Sequence, residues 1–277
     1  MKNFILGVLI ILGSSMQAQE NSAELIKKVE GFSHPESVVY DSKNDVFYVS
    51  NIGDTTPGDG FISKLDSEGE ILELKVIDGL NDPKGLLLID NKLFVTDVTN
   101  FVEMDTETGT ITATIKVDGA EGLNDITVDS EGDIFISDNR KSSIYINKGA
   151  KGVIKEWMLG ENLEFPNGLL AVDENLYVAA WGQNTNGNLL QINKETKEIT
   201  QITTQGIGNL DGIQLNEKKT FYISDWSNGD IYEIRTDGEM NKIISSEKTS
   251  GDIIFRKEEN QLILPMNHQN SIWWYQL

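Results

Sequence analysis

Asn124-Asp125-Ile126-Thr127-Val128, a turn containing Ser130-Glu131-Gly132, and Ile134-Phe135-Ile136-Ser137-Asp138 form the stretch from which the rest of the chain can be read. An amide-bearing residue opens an apolar run of strand formers, hairpin chemistry reverses the chain, and a second apolar run returns. The pattern recurs at Glu36 (Glu36-Ser37-Val38-Val39-Tyr40, then Val46-Phe47-Tyr48-Val49-Ser50), Lys84, Asn167, Asp211 and Asp252. With Asn124 these make six openings, at steps of 48, 40, 43, 44 and 41 residues. A strand-built repeat of roughly 40–50 residues marks a propeller blade. The spacing therefore predicts an all-β chain folded as a six-bladed β-propeller.

Outside the first two strands of a repeat the pattern turns amphipathic. Phe61-Ile62-Ser63-Lys64-Leu65 and Ile71-Leu72-Glu73-Leu74-Lys75 flank the turn Asp66-Ser67-Glu68-Gly69. Apolar inner strands and alternating outer ones are what radial burial between neighbouring blades requires. The sixth repeat runs out at Leu277 with three strands, and Glu24-Leu25-Ile26-Lys27-Lys28-Val29 is the obvious fourth. An N-terminal outer strand in the last blade would close the ring and remove its open edges.

Met1 to Ala18 read as a secretory signal peptide: Lys2, an apolar stretch from Phe4 to Leu12, then small and polar residues. The expected organisation is a signal peptide over 1–18 and a single propeller domain over 19–277, periplasmic or secreted. The absence of cysteine leaves neither a disulfide framework nor a thiolate metal site. With 44 acidic and 23 basic residues the formal net charge is −21. Such a surface repels nucleic-acid backbones and anionic headgroups. The expectation is no nucleic-acid partner, no membrane insertion after signal cleavage, a small-molecule substrate and a monomer.

Antiparallel pairing puts the start of each first strand and the end of each second strand on one face. Six openings therefore meet at one mouth of the central channel: Glu36, Lys84, Asn124 with Asp125, Asn167, Asp211 and Asp252. Oxygen donors without sulfur or histidine suit Ca²⁺, with Mg²⁺ or another divalent ion the alternative, and exclude a zinc-type set. Asn, Asp and Gly are also ordinary turn formers, but two carboxylates and two amides in register favour a metal site. His34 and His268 map to the same rim, where each is either a general base or an exposed loop residue. Trp181 and Trp226 wall a pocket or pack between blades. Asp97, Asp138 and Asp225 end second strands, either adding negative charge to the mouth or completing turns. Lys84 either orients an anionic substrate or pairs with Glu36 or Asp252, the pairing being the simpler reading.

Glu36 in His34-Pro35-Glu36-Ser37, Asn124 in Leu123-Asn124-Asp125, Asn167 in Phe165-Pro166-Asn167-Gly168 and Asp211 in Leu210-Asp211-Gly212 resemble the senescence marker protein, gluconolactonase and luciferin-regenerating enzyme family of six-bladed propellers. The resemblance implies that Glu36, Asn124, Asn167 and Asp211 hold a catalytic Ca²⁺, that Asp211 doubles as base or nucleophile, and that the reaction is hydrolysis of a lactone or ester. Gluconolactonases commonly carry an arginine just before the Asn-Asp pair, where this chain has Glu121-Gly122-Leu123, so sugar-lactone specificity is not implied. The resulting expectation is an exported calcium-dependent hydrolase with Asp211, His268 and His34 as catalytic candidates. Its substrate pocket would be formed by Lys84, Asp125, Asp138, Trp181, Trp226 and Asp252. The alternative is a non-catalytic propeller that binds a ligand or protein partner around a structural ion.

Overall fold

A computed structural model describes residues 23–54, 56–184 and 186–277. The signal peptide expected over 1–18 lies outside the described residues. Six four-stranded antiparallel sheets follow one another along the chain. Their innermost strands are Pro35–Asp41, Pro83–Ile89, Leu123–Val128, Pro166–Val172, Leu210–Leu215 and Ile254–Arg256. The architecture is a six-bladed β-propeller. In the last blade the outer strand is Glu24–Glu30, paired antiparallel with Ser271–Gln276. Among the described residues no helix is long and apolar enough to cross a membrane.

The core is a ring of six seams, one between each pair of neighbouring blades. Tyr48 and Ile62 of blade 1 pack on Leu93, Val95 and Met104 of blade 2, while Phe94 and Phe101 of blade 2 pack on Ile126 and Tyr145 of blade 3. Successive strand residues face opposite seams because the side-chain period of a strand is two. Ile263 and Trp274 of blade 6 meet Val38 and Phe47 of blade 1 in the closing seam. Burying a side chain of this size contributes about 1.5–3 kcal/mol, so the seams hold the ring without cross-links.

The inner strands are built for close approach at the axis. In five blades the register slips by one residue just after the opening, between Pro35 and Val38, Pro83 and Leu86, Leu123 and Ile126, Pro166 and Gly168, and Leu210 and Ile213. Such a bulge bends the strand and redirects a side chain. A Cβ added at Gly168 would lie 1.9 Å from the Asp211 carbonyl oxygen of the next blade. Only glycine permits that contact.

Register corrects one element of the sequence reading. Pro35, Pro83, Leu123, Pro166 and Leu210 pair with the last residue of their second strands, Asn51, Asp97, Asp138, Ala180 and Asp225. In blade 6 the matching pair is Ser250 with Met266. The residue one step on is Glu36, Lys84, Asn124, Asn167 or Asp211 in the first five blades, and Gly251, not Asp252, in the sixth. Asp252 lies one step deeper in the channel, level with Ser37 and Asp125.

Candidate functional site

The bulges turn the opening residues toward one cavity of about 360 Å³ at the channel mouth. Glu36, Lys84, Asn124, Asn167 and Asp211 line it, so the structure brings together all four expected metal-binding residues and the lysine. Glu36, Asn124, Asn167 and Asp211 are each at most 4 % exposed. Side-chain hydroxyls fix the backbone beneath them: Thr96 donates to the Asn124 carbonyl, Ser137 to that of Asn167 at 2.7 Å, and Ser224 to that of Gly251 at 2.8 Å. Each hydroxyl reaches from one blade to the opening residue of the next, and this pins the ring of side chains to one height.

A second ring surrounds the first. The residue after each second strand is Ile52, Asn139, Trp181, Trp226 or Asn267 in blades 1, 3, 4, 5 and 6, and all five line the cavity, with Arg140 beside Asn139. Sequence reading found only the two tryptophans of this ring. The signal for the others was the same position counted from the strand end, hidden by differing residue types. Trp181 and Trp226 stand 6.2 Å apart, centroid to centroid, and His268 meets Trp226 edge-on at 6.0 Å. His34 is 6.0 Å from His268. Neither histidine lines the cavity; His268 is exposed and His34 touches the lining through Asn267.

The remaining pocket candidates serve elsewhere. Asp138 is buried and accepts backbone N–H groups of Glu121, Gly122, Arg140 and Lys141, so it ties the strand's approach to its exit. Asp225 does the same in blade 5, while Asp97 in blade 2 holds only the approach, through the N–H groups of Asn81 and Asp82. Asp125 accepts from the Ile126 and Leu169 backbones at 2.7 and 2.6 Å. With Asp252 it faces a lower void of about 200 Å³, otherwise largely walled by aliphatic residues such as Val38, Leu169 and Ile213. Lys84 does not pair with Glu36 or Asp252; among the described residues neither Lys84 nor Arg140 has a carboxylate partner. The lysine acts across space, lowering the proton affinity of both Glu36 and Asp211.

Electrostatically the mouth crowds buried carboxyls against one another. Burial, followed by repulsion from Asp211, holds the Glu36 carboxyl well above its usual range. Burial and then Asp252 push Asp211 up to about 8, and burial pushes Asp252 up to about 7 against the Ser37 hydrogen bond. Burial and Asp252 also raise Asp125. Two acceptors are stranded as well: among the described residues, Glu36 Oε2 and Asn167 Oδ1 are buried without a hydrogen-bond partner. Asn167 spends its Nδ2 on the Leu210 carbonyl at 3.1 Å, which aims Oδ1 the other way. Orphaned hard oxygens of this kind fit Ca²⁺. Among the described residues no three histidine, cysteine or acidic side chains form a metal cluster; the candidate set is two carboxylates with two amides.

Two larger grooves, of about 590 and 610 Å³, contain none of the opening residues. The first lies at the opposite face around Asp129, Trp157 and Lys194, where the Lys194–Asp129 ion pair at 2.6 Å already satisfies its buried carboxylate.

No family model and no curated relative matches the sequence. Solved structures do match, at low identity. A gluconolactonase from Xanthomonas campestris is 13 % identical with a TM-score of 0.70, covering 93 % of this chain and 95 % of its own. Virginiamycin B lyase from Staphylococcus aureus is 15 % identical with a TM-score of 0.66, covering 92 % and 99 %, and a streptogramin B lyase is 14 % identical with a TM-score of 0.67, covering 92 % and 98 %. At such identity the likeness establishes the six-bladed fold and nothing finer.

Proposed function

We propose that this protein is an exported, calcium-dependent hydrolase of a small lactone or ester, with Glu36, Asn124, Asn167 and Asp211 as the ion's protein ligands. The observation that carries the reading is the pair of orphaned oxygens, Glu36 Oε2 and Asn167 Oδ1, in a cavity that also holds Asp211 and Asn124. A divalent ion bound there would neutralise the carboxylates and polarise a carbonyl oxygen.

The chain's own residues supply the rest. Asp211 lines the cavity and would, with its carboxylate kept ionised by a bound cation, be placed to take a proton from an attacking water. Trp181 and Trp226 wall the cavity and limit water. Lys84 and Arg140 present positive charge from blades 2 and 3, which favours a substrate bearing a carboxylate or another anionic group. Arg140 reaches the cavity with its aliphatic stem against Gly122, where an added Cβ would come within 2.6 Å of it.

The test is a panel of lactones and aryl esters assayed with and without chelator. Turnover abolished by metal removal and by Asp211→Ala supports the reading. A chelator that only lowers the melting temperature, with no substrate consumed, favours the binding propeller instead. Elimination is a second reading, favoured by the imidazoles of His34 and His268 beside the mouth. One of the solved lyases is a catalytically inactive variant in which a histidine is replaced by alanine. Incorporation of ¹⁸O from labelled water separates the two, since only hydrolysis adds water to the product.

A further inference from the structure

Asn267 occupies the blade 6 place in the outer ring, one residue past the Met266 that pairs with Ser250. The inward place on that blade belongs to Gly251, which has no side chain, so Asn267 is what blade 6 presents to the cavity. Asn267 is 4 % exposed. Its Oδ1 stands 3.2 Å from Nδ1 of His34 and accepts when that nitrogen carries the proton. Nδ2 is then buried with no hydrogen-bond partner among the described residues. Main-chain bonds hold the turn independently of this side chain, from Asn267 N–H to the Thr249 carbonyl at 2.9 Å and from Asn270 N–H to the Asn267 carbonyl at 3.2 Å. His34 is anchored too, its N–H donating to Asn270 Oδ1 at 2.8 Å.

We infer that Asn267 Nδ2 is the hydrogen-bond donor for the substrate's acyl oxygen, and that His34 is the positioning residue that aims it. This rests on the hydrolase reading and adds a residue to it. An amide nitrogen has no lone pair to offer a metal, so Asn267 complements the oxygen donors of Glu36, Asn124, Asn167 and Asp211 and does not join them. A carbonyl oxygen gains negative charge as water adds to its carbon, and a donor fixed beforehand stabilises that charge without reorganising. The cavity thus carries orphaned acceptors suited to a cation and one orphaned donor, and a carbonyl oxygen held by an ion on the acceptors would find its second partner in that donor.

The experiment compares calcium-loaded wild type with Asn267→Ala and Asn267→Asp. It uses δ-valerolactone and phenyl acetate as substrates and calorimetric titration with calcium and with phenylphosphonate, an unreactive tetrahedral mimic. Asn267→Asp keeps the side-chain shape and the bond to His34, and thermal melting checks that each variant folds. The expected result for Asn267→Ala is unaltered calcium affinity, a fall of about a hundred- to thousandfold in kcat with little change in KM, and comparably weakened phenylphosphonate binding. His34→Ala should lose about tenfold in kcat, and His34→Asn, whose Nδ2 takes the place of Nδ1 and can still donate to Asn267 Oδ1, should recover most of it. Unchanged kcat and phenylphosphonate affinity in both Asn267 variants overturn the inference and leave the hydrolase reading standing, as does loss of calcium binding in Asn267→Ala, which would make the residue a ligand. Phenylphosphonate binding that depends on Asn267, without turnover of either substrate, sustains the donor and refutes hydrolysis. Neither turnover nor binding in wild type overturns both.

Discussion

The Ser37 hydroxyl donates to the Asp252 carboxylate at 2.7 Å across the junction of the last blade with the first. Alongside it the Asp252 N–H donates to the Glu36 carbonyl at 2.8 Å. The bond that closes the ring at the axis is therefore next to the candidate metal ligand, and closure and site geometry share residues.

Ser37→Ala should consequently weaken the whole fold. It leaves a buried carboxylate oxygen without its donor, a loss of about 1–3 kcal/mol. The check is the urea midpoint in chelator. A midpoint equal to wild type would show that the seam's apolar contacts carry closure without this bond.

Gly168→Ala should damage stability and site together. The new Cβ would sit 1.9 Å from the Asp211 carbonyl, so blade 5 must move and Asp211 with it, at a cost of about 1–3 kcal/mol or more. Calcium affinity and melting temperature should both fall. A fall in stability with calcium affinity intact would mean that Asp211 is held by something other than this contact.

The metal-free protein should lose stability as pH rises. Asp211 has a folded value of about 8, above the usual aspartate value near 4. Between those values the unfolded chain holds fewer protons than the folded one, so stability declines through the window. Asp252, at about 7, acts in the same direction. In chelator the urea midpoint should drop between pH 5 and pH 8, and Asp211→Asn should flatten the slope. Calcium affinity should climb over the same range, because the ion displaces protons. A wild-type midpoint that rises with pH in chelator contradicts the placement of these carboxylates.

Lys84→Met should raise KM for anionic substrates by about tenfold and leave neutral ones little changed, following the loss of one charge near the bound anion. Equal effects on both classes would assign the lysine to moderating Glu36 and Asp211 instead.

The fold was legible because a radial architecture repeats its burial pattern, so Val38, Leu86, Ile126, Leu169 and Ile213 announce the inner strands of the first five blades. The mouth was legible where polar residues open those strands. Blade 6 misled because its order is Gly251-Asp252, where blades 4 and 5 read Asn167-Gly168 and Asp211-Gly212. Aligning on the acidic residue then places Asp252 one step too high, and only strand pairing shows it. Asn139, Arg140 and Asn267 escaped because turns carry no periodicity, and chemically unlike residues fill one position of the outer ring. The lysine's lack of a partner is a matter of distance, which sequence does not encode.

Calorimetric titration of calcium into chelator-treated protein probes the mouth most directly. The expected result is a single saturable site, lost in Asp211→Ala and weakened strongly in Glu36→Gln while both variants still melt cooperatively. Absence of binding in wild type, or binding untouched by either substitution, would contradict a metal centre built from these residues.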